Sequence, residues 1–217
     1  MFLLDAAGAL VAPERCSACD ERVPFRTVFC TACAPTASGS GSTNRGAPEA
    51  SHPVASLHAP FVYGGAIAVA ITRFKYEGRS NLARPLAHLL LRALPQLKPL
   101  AIDVVVPVPL HPTRLVERGF NQAALLGRPL AGRLGAAFEA RALTRIKATE
   151  AQATLSREVR QRNVRGAFEV RQRHSLANRC VLLVDDVATT GATLAEAAIA
   201  VHAANARIVH AVVLARA

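Results

Sequence analysis

Apolar positions change their period several times along the chain, and the changes mark out its elements. From position 61 onward the pattern is continuous. Residues 61–63 read as a short strand, and 66–76 as a helix with Ile67, Ala70, Ile71 and Phe74 on one face. After the Glu77-Gly78 break, 82–94 repeats the helical spacing through Leu82, Leu86, Leu89, Leu90 and Leu94. The run 102–108 is β-branched and suits a strand covered on both faces. Residues 121–134 read as a helix that Pro129 should shorten or bend. Then come a polar stretch at 145–168, a buried strand at 181–184, a helix at 191–204 and a third buried strand at 207–214. Strands alternating with helices predict an α/β fold: a parallel sheet flanked by helices.

The segment before position 61 is different in kind. Residues 34–60 are rich in Ala, Ser, Gly and Pro without apolar periodicity, and read as a flexible, low-complexity linker. His52 and His58 fall in it and read as solvated side chains. Residues 1–33 contain four of the five cysteines, as Cys16-x-x-Cys19 and Cys30-x-x-Cys33. That spacing lets four thiolates gather one tetrahedral Zn²⁺ at about 2.3 Å each. A cross-link of this kind would fold a segment too short to bury a core of its own. Disulfides, and a redox Cys-x-x-Cys, are the competing uses of the same residues. Cys180 opens an apolar run and reads as a small buried hydrophobe. The chain thus divides into a four-cysteine, zinc-knuckle segment (1–33), a linker (34–60) and a large α/β domain (61–217).

No apolar run looks like a membrane span, since the longest, 86–110, is broken by Arg92, Lys98, Asp103 and four prolines. Residues 1–13 lack the basic start of a signal peptide, so the expected location is the cytoplasm. Lys and Arg number 26 against 15 acidic residues, a formal charge of +11. Residues 1–60 hold four basic and five acidic residues, so the α/β domain carries 22 against 10, or +12. Positions 141–179 alone carry +7, almost all of it Arg. Such a surface attracts nucleic acid, membrane or phosphorylated small molecules, and Arg suits phosphate oxygens. A bias toward Ala and Arg in composition would also account for the count.

The segment Val181-Leu-Leu-Val-Asp185-Asp186-Val187-Ala188-Thr189-Thr190-Gly191-Ala192-Thr193 carries the chemistry. A buried strand ends in two carboxylates, a Thr/Gly loop follows, and a helix begins. Ligands of open α/β sheets bind at such strand ends. Backbone N–H groups and hydroxyls of 188–193, at a helix N-terminus, suit a phosphate monoester. Two adjacent carboxylates would repel phosphate, so their partners must be hydroxyl donors or Mg²⁺. Phosphate, diol and Mg²⁺ together describe a phosphoribosyl ligand. Neither G-x-G-x-x-G nor G-x-x-x-x-G-K-[ST] occurs after a strand.

VLLVDDVATTGAT resembles the phosphoribosyl pyrophosphate (PRPP) signature of type I phosphoribosyltransferases. With FKYEGRSNLARPLA (74–87), VVPVPLHPTRLVERGFNQAALL (105–126) and KATEAQATLSREVRQRNVRGAF (147–168), the chain is similar to one branch, the ComF family of competence-associated proteins. The resemblance implies a type I phosphoribosyltransferase-like sheet with a small N-terminal zinc segment of four cysteines. It also implies PRPP and Mg²⁺ as ligands, with Asp185 and Asp186 on the ribose hydroxyls and Val187, Ala188, Thr189, Thr190, Gly191, Ala192 and Thr193 around the 5′-phosphate. Pro107 and Val108 would lie on the pyrophosphate side, with Arg114 and Arg118 supplying charge. Residues 145–168 correspond to the mobile hood of transferases, where Arg145, Lys147 and Arg157 are candidates, as are Arg160 and Arg165. Cys16, Cys19, Cys30 and Cys33 would hold the zinc. Relatives carry further cysteines where this chain has its linker.

Two functions follow: a Mg²⁺-dependent phosphoribosyl transfer to an acceptor that no residue identifies, linked to DNA uptake, or a PRPP-sensing module that binds single-stranded DNA and the uptake machinery. Aromatic residues are only 5% of the chain, with no Trp, and Phe120 and Phe168 read as core, which weakens a stacking surface for DNA.

Overall fold

The computed structural model describes residues 14–39, 52–148, 164–171 and 173–217. Strands β1 (Ser56–His58) and β2 (Phe61–Val62) lead into helix α1 (Gly65–Tyr76), followed by α2 (Ala83–Leu90) and α3 (Leu94–Leu97). Next come β3 (Val104–Pro107), α4 (Pro112–Arg118), α5 (Gln122–Leu134) and β4 (Ala137–Phe138). Strands β5 (Leu143–Arg145) and β6 (Phe168–Val170) form a separate antiparallel pair. The chain closes with β7 (Cys180–Ala188), α6 (Ala192–His202) and β8 (Ile208–Arg216).

The main sheet has the order β1-β8-β7-β3-β4, with β2 also on β8, and every pairing is parallel. This is the predicted architecture, a parallel sheet with helices on both faces. The two-residue period of β7 sorts its side chains between two cores. Leu182 and Val184 join Val212 and Leu214 under α1, α2 and α5, while Val181 and Leu183 join Val209, Ala211 and Val213 under α6. On α1, the predicted face of Ile67, Ala70, Ile71 and Phe74 is fully buried, each large side chain contributing roughly 1.5–3 kcal/mol.

Four boundaries differ from expectation. The expected linker includes β1, whose Ser56, Leu57 and His58 pair with His210, Ala211 and Val212, so the sheet begins before position 61. A three-residue edge strand leaves too little apolar period to detect. His58 is accordingly buried rather than solvated, sharing the Ser56 hydroxyl at 2.8 Å with His210, which meets it at 2.7 Å. The predicted helix over 82–94 breaks into α2, a 3₁₀ turn and α3, since Pro95 starts a fresh turn. Pro129 does not shorten α5, which runs through it because Leu126 and Leu130 pack fully buried against the sheet. Finally, β7 continues four residues past Val184, carrying Asp185, Asp186, Val187 and Ala188 inside the strand.

That last extension shapes the carboxyl edge of the sheet. Pairing of β3 with β7 stops at Pro107↔Val184, whereas β8 keeps pairing to Ala188↔Arg216. Asp185 to Ala188 therefore have a neighbour strand on one side only. The chain leaves β3 toward β4 and β7 toward β8, so the strands diverge here, at the switch point where open α/β sheets bind ligands.

Candidate phosphoribosyl site and metal centre

Asp186 is buried at 3% exposure, and its charge is met from two distant elements. Lys75, near the C-terminus of α1, places Nζ 2.8 Å from Oδ1, and Gln122, at the start of α5, donates Nε2–H to Oδ2 at 3.1 Å. Burial works against the Lys75 charge, but Asp186 and Asp185 outweigh it and hold its pKa above the ordinary lysine value. Gln122 is held by a local device: Asn121 caps α5 by accepting from Ala123 N at 3.0 Å and anchors itself on the Val108 carbonyl at 3.1 Å.

Asp185 has the opposite environment. Its Oδ1 accepts the Asp186 N–H at 2.8 Å, and no cation sits on it directly among the ion pairs of the described residues. Burial, then the charge of Asp186, push its pKa up to about 7, against the pull of Lys75 and Arg145. The Gln122 Oε1 atom is buried here with no hydrogen-bond partner among the described residues. Asp185, with one backbone N–H on Oδ1, and the orphaned amide oxygen form an acceptor set short of donors, beside an Asp186 whose two oxygens are already engaged. Hydroxyl groups or a hard cation such as Mg²⁺ fit that set.

Beyond β7, Thr189 is exposed while Thr190, Gly191, Ala192 and Thr193 are half-buried. Gly191 has φ 79° and ends the turn into α6, a left-handed conformation that a side chain would strain. Thr190 Oγ1 accepts from Ala192 N at 3.3 Å, which fixes the turn. The segment thus joins the sheet's carboxyl edge to the N-terminus of an 11-residue helix, an arrangement suited to an anion.

The other expected site residues divide. Pro107 and Val108 are buried at the end of β3 beside Asp185, with Val108 N–H on the Val184 carbonyl at 2.9 Å. Arg145 comes within electrostatic reach of Asp185; burial lowers its pKa against that carboxylate's pull, and its guanidinium lies 5.5 Å from the Phe168 ring. Lys147 is turned to the Arg165 carbonyl at 2.9 Å, bracing the base of the β5–β6 pair. Arg114 is exposed and paired with Glu117 at 3.2 Å, and Arg118 lies 5.4 Å over the Tyr76 ring. Arg157 and Arg160 lie outside the described residues. Lys75 and Gln122 were not singled out from the sequence. Both lie in segments that carried the family resemblance, yet no spacing rule links positions 75, 122 and 186.

Cys16, Cys19, Cys30 and Cys33 converge, their sulfurs all within 4.8 Å of one another. A tetrahedron with bonds of about 2.3 Å has edges of about 3.8 Å, and Cys19 Sγ stands 3.7 Å from Cys30 Sγ. The set fits zinc, and no histidine among the described residues belongs to it. Backbone N–H groups of Cys30, Ala18 and Cys19 overcome burial to bring Cys16 to about 7, while Cys33 is pushed up to about 12, chiefly by Cys30. A bound cation would favour thiolate at all four.

This knuckle is not tethered loosely. Cys16, Val23, Phe29 and Cys30 share the core of α1 and α2. Asp20 pairs with both Arg73 and Arg79, which hold its carboxyl far below the usual range, and Arg73 also donates to the Ala18 carbonyl at 2.8 Å. Thr36 Oγ1 accepts the Ala66 N–H at 3.0 Å, and Gly65, at φ 48°, leaves room that a Cβ would take from the Thr36 carbonyl. Among the described residues no helix is long and apolar enough to cross a membrane.

Residues 123–217 match the phosphoribosyl transferase domain family. The chain is 34% identical over 188 residues to DNA utilization protein YhgH of Salmonella typhi, spanning 84% of this chain and 82% of that protein. It is 36% identical over 135 residues to competence protein F of Haemophilus influenzae, spanning 60% of this chain and 59% of that one. A solved structure of the allosteric regulatory enzyme of purine biosynthesis overlaps 65% of this chain and 29% of its own, with TM-score 0.42 and 20% identity. The chain belongs to the ComF family, alongside the DNA utilization and competence F proteins, as a phosphoribosyltransferase-type α/β domain with a four-cysteine knuckle.

Proposed function

We propose that the protein binds PRPP or a close relative together with Mg²⁺ and transfers the phosphoribosyl group to an acceptor, in the cytoplasm, in a process linked to DNA uptake. The observation that carries this reading is the acidic pair on the one-sided end of β7, with Asp186 held in place and Asp185 short of donors, continuous with a turn into a helix N-terminus. Asp185 and Asp186 take the ribose hydroxyls, and Val187 to Thr193 surround the 5′-phosphate. The leaving pyrophosphate lies toward Pro107 and Val108. Bound Mg²⁺ supplies positive charge to that leaving group. Lys75, by an ion pair, and Gln122, by a hydrogen bond, hold the Asp186 carboxylate in place, so the diol meets a prearranged acceptor. Arg145, within electrostatic reach of Asp185, adds fixed positive charge beside the reacting sugar; residues 149–163 of the expected hood lie outside the described residues.

Calorimetric titration of the wild type with PRPP and Mg²⁺ tests the reading. Binding is expected, and Asp185→Asn with Asp186→Asn should abolish it; a double variant that binds PRPP normally would refute the assignment. Transfer itself would appear as pyrophosphate release with a panel of acceptor bases.

A second reading, a PRPP-sensing module that binds single-stranded DNA without catalysis, is favoured by the +12 charge of 61–217 and by the relatives' names. Electrostatic binding of a single strand weakens with salt, each phosphate contact adding about 0.7 to the log–log slope. Silence across the acceptor panel with a steep salt slope would select this reading.

A further inference from the structure

The chain has two tyrosines and no tryptophan. One of them, Tyr76, stands 64% exposed at the end of α1. Its position is set by the two residues before it. Phe74 is fully buried and stacks on Phe120 with centroids 5.2 Å apart and 29° between planes, and Lys75 reaches Asp186. Successive helical residues diverge by about 100°, so Tyr76 is turned away from both, outward at the rim. There the Arg118 guanidinium lies 5.4 Å over its ring. Segments 74–76 and 118–122 are thereby joined in three layers: Phe74 on Phe120 at the base, Lys75 and Gln122 on Asp186 above, and Tyr76 with Arg118 at the surface. The lower layers hold the outer pair rigid, yet the outer ring adds little to the core.

We propose that Tyr76 and Arg118 form a stacking platform for the nucleobase attached to, or joining, C1′ of the ribose. The proposal rests on the phosphoribosyl reading of Asp185, Asp186 and 187–193. If those carboxylates take the 2′- and 3′-hydroxyls while the following turn takes the 5′-phosphate, C1′ lies beside the diol, at the end away from the phosphate. A planar group on C1′ then projects past Asp186 toward the lip formed by Tyr76 and Arg118. An exposed aromatic ring with a guanidinium on one face accepts a base by stacking, with a cation–π contribution, and without hydrogen-bond readout. Larger faces stack better, so purines rank ahead of pyrimidines. The base belongs either to a free nucleotide or to the end of a strand.

Titrations of the full, zinc-loaded chain in Mg²⁺ with ribose 5-phosphate and with adenosine 5′-monophosphate test this. The nucleotide should bind roughly tenfold more tightly. Tyr76→Ala should collapse that ratio toward one, and Tyr76→Phe should keep it. A 5′-phosphorylated oligonucleotide in the same titration assigns the base to a strand if it binds better than the mononucleotide, and to a free nucleotide if it does not. Independently, Tyr63→Phe leaves Tyr76 as the sole tyrosine, whose emission lifetime should shorten with the nucleotide and not with ribose 5-phosphate. A wild type that holds ribose 5-phosphate but gains nothing from the base overturns the platform and spares the phosphoribosyl site. A wild type that holds neither overturns both. A ratio that survives Tyr76→Ala, or an unchanged lifetime, also overturns the platform.

Discussion

Asp185 and Asp186 are adjacent in sequence and held in different surroundings. Asp186 is ion-paired with Lys75 and accepts a hydrogen bond from Gln122, whereas burial and the Asp186 charge raise Asp185 to about 7. Because the folded pKa lies above the ordinary carboxylate value, ionising Asp185 opposes folding. That cost is absent below pH ~4 and grows as pH rises toward 7. Asp185→Asn should therefore stabilise the apoprotein at pH 8 by roughly 1–3 kcal/mol and hardly at all at pH 4, read from denaturant unfolding at both. Affinity for the Mg²⁺-phosphoribosyl ligand should run the other way: it needs the ionised carboxylate, so it rises with pH up to about 7 and then levels. Stability gained with binding lost is the behaviour of a ligand site rather than a structural carboxylate. Lys75→Met strands a buried carboxylate and should cost roughly 3 kcal/mol in the same assay. The two carboxylates are legible in the sequence because they share one short motif. Their division of labour is not, since it comes from side chains on α1 and α5.

Helix α1 connects the four-cysteine cluster to the acidic pair. Arg73 holds the knuckle through Asp20 and the Ala18 carbonyl, and two residues later Lys75 holds Asp186. Removing the metal with a chelator under reducing conditions, or Cys16→Ser, should lower the thermal midpoint. Amide exchange near the end of α1 should quicken by roughly tenfold while α6 changes little. The edge strand has its own sensitivity. His58 and His210 share Ser56 Oγ and both are held below the ordinary histidine pKa, by burial first. The fold keeps them neutral, so their contribution is intact above pH ~6.5 and is lost as pH falls below it, where the unfolded chain takes up protons. Protection against exchange in β1, relative to the intrinsic rate at each pH, should fall between pH 7 and 5.5, and His58→Gln should flatten that change. Of these elements α1 was plain from its apolar face, and β1 was not, because three residues at a sheet edge show no period.

At the scale of the whole molecule, the acidic pair stands on a one-sided strand end because β3 stops at Pro107 while β7 runs on to Ala188 against β8. Positive charge surrounds it unevenly: Lys75 and Arg145 act on the acidic pair, whereas Arg114 and Arg118 are engaged by Glu117 and the Tyr76 ring. What the sequence by itself determined is local: the alternation that specifies a parallel α/β sheet, the Cys-x-x-Cys pair that can hold a metal, and the acidic pair leading into a Thr/Gly turn. Each lies within one period or one short motif, where neighbouring residues dictate the chemistry. Only the tertiary structure decided that Gln122 and Lys75 meet Asp186, the former across 64 positions, and that Asp20 meets Arg73 and Arg79 across 53 and 59. No helical or strand period spans such distances; the packing of α1 and α5 on one face of β7 brings Lys75 and Gln122 to Asp186, and burial beside that carboxylate pushes Asp185 up.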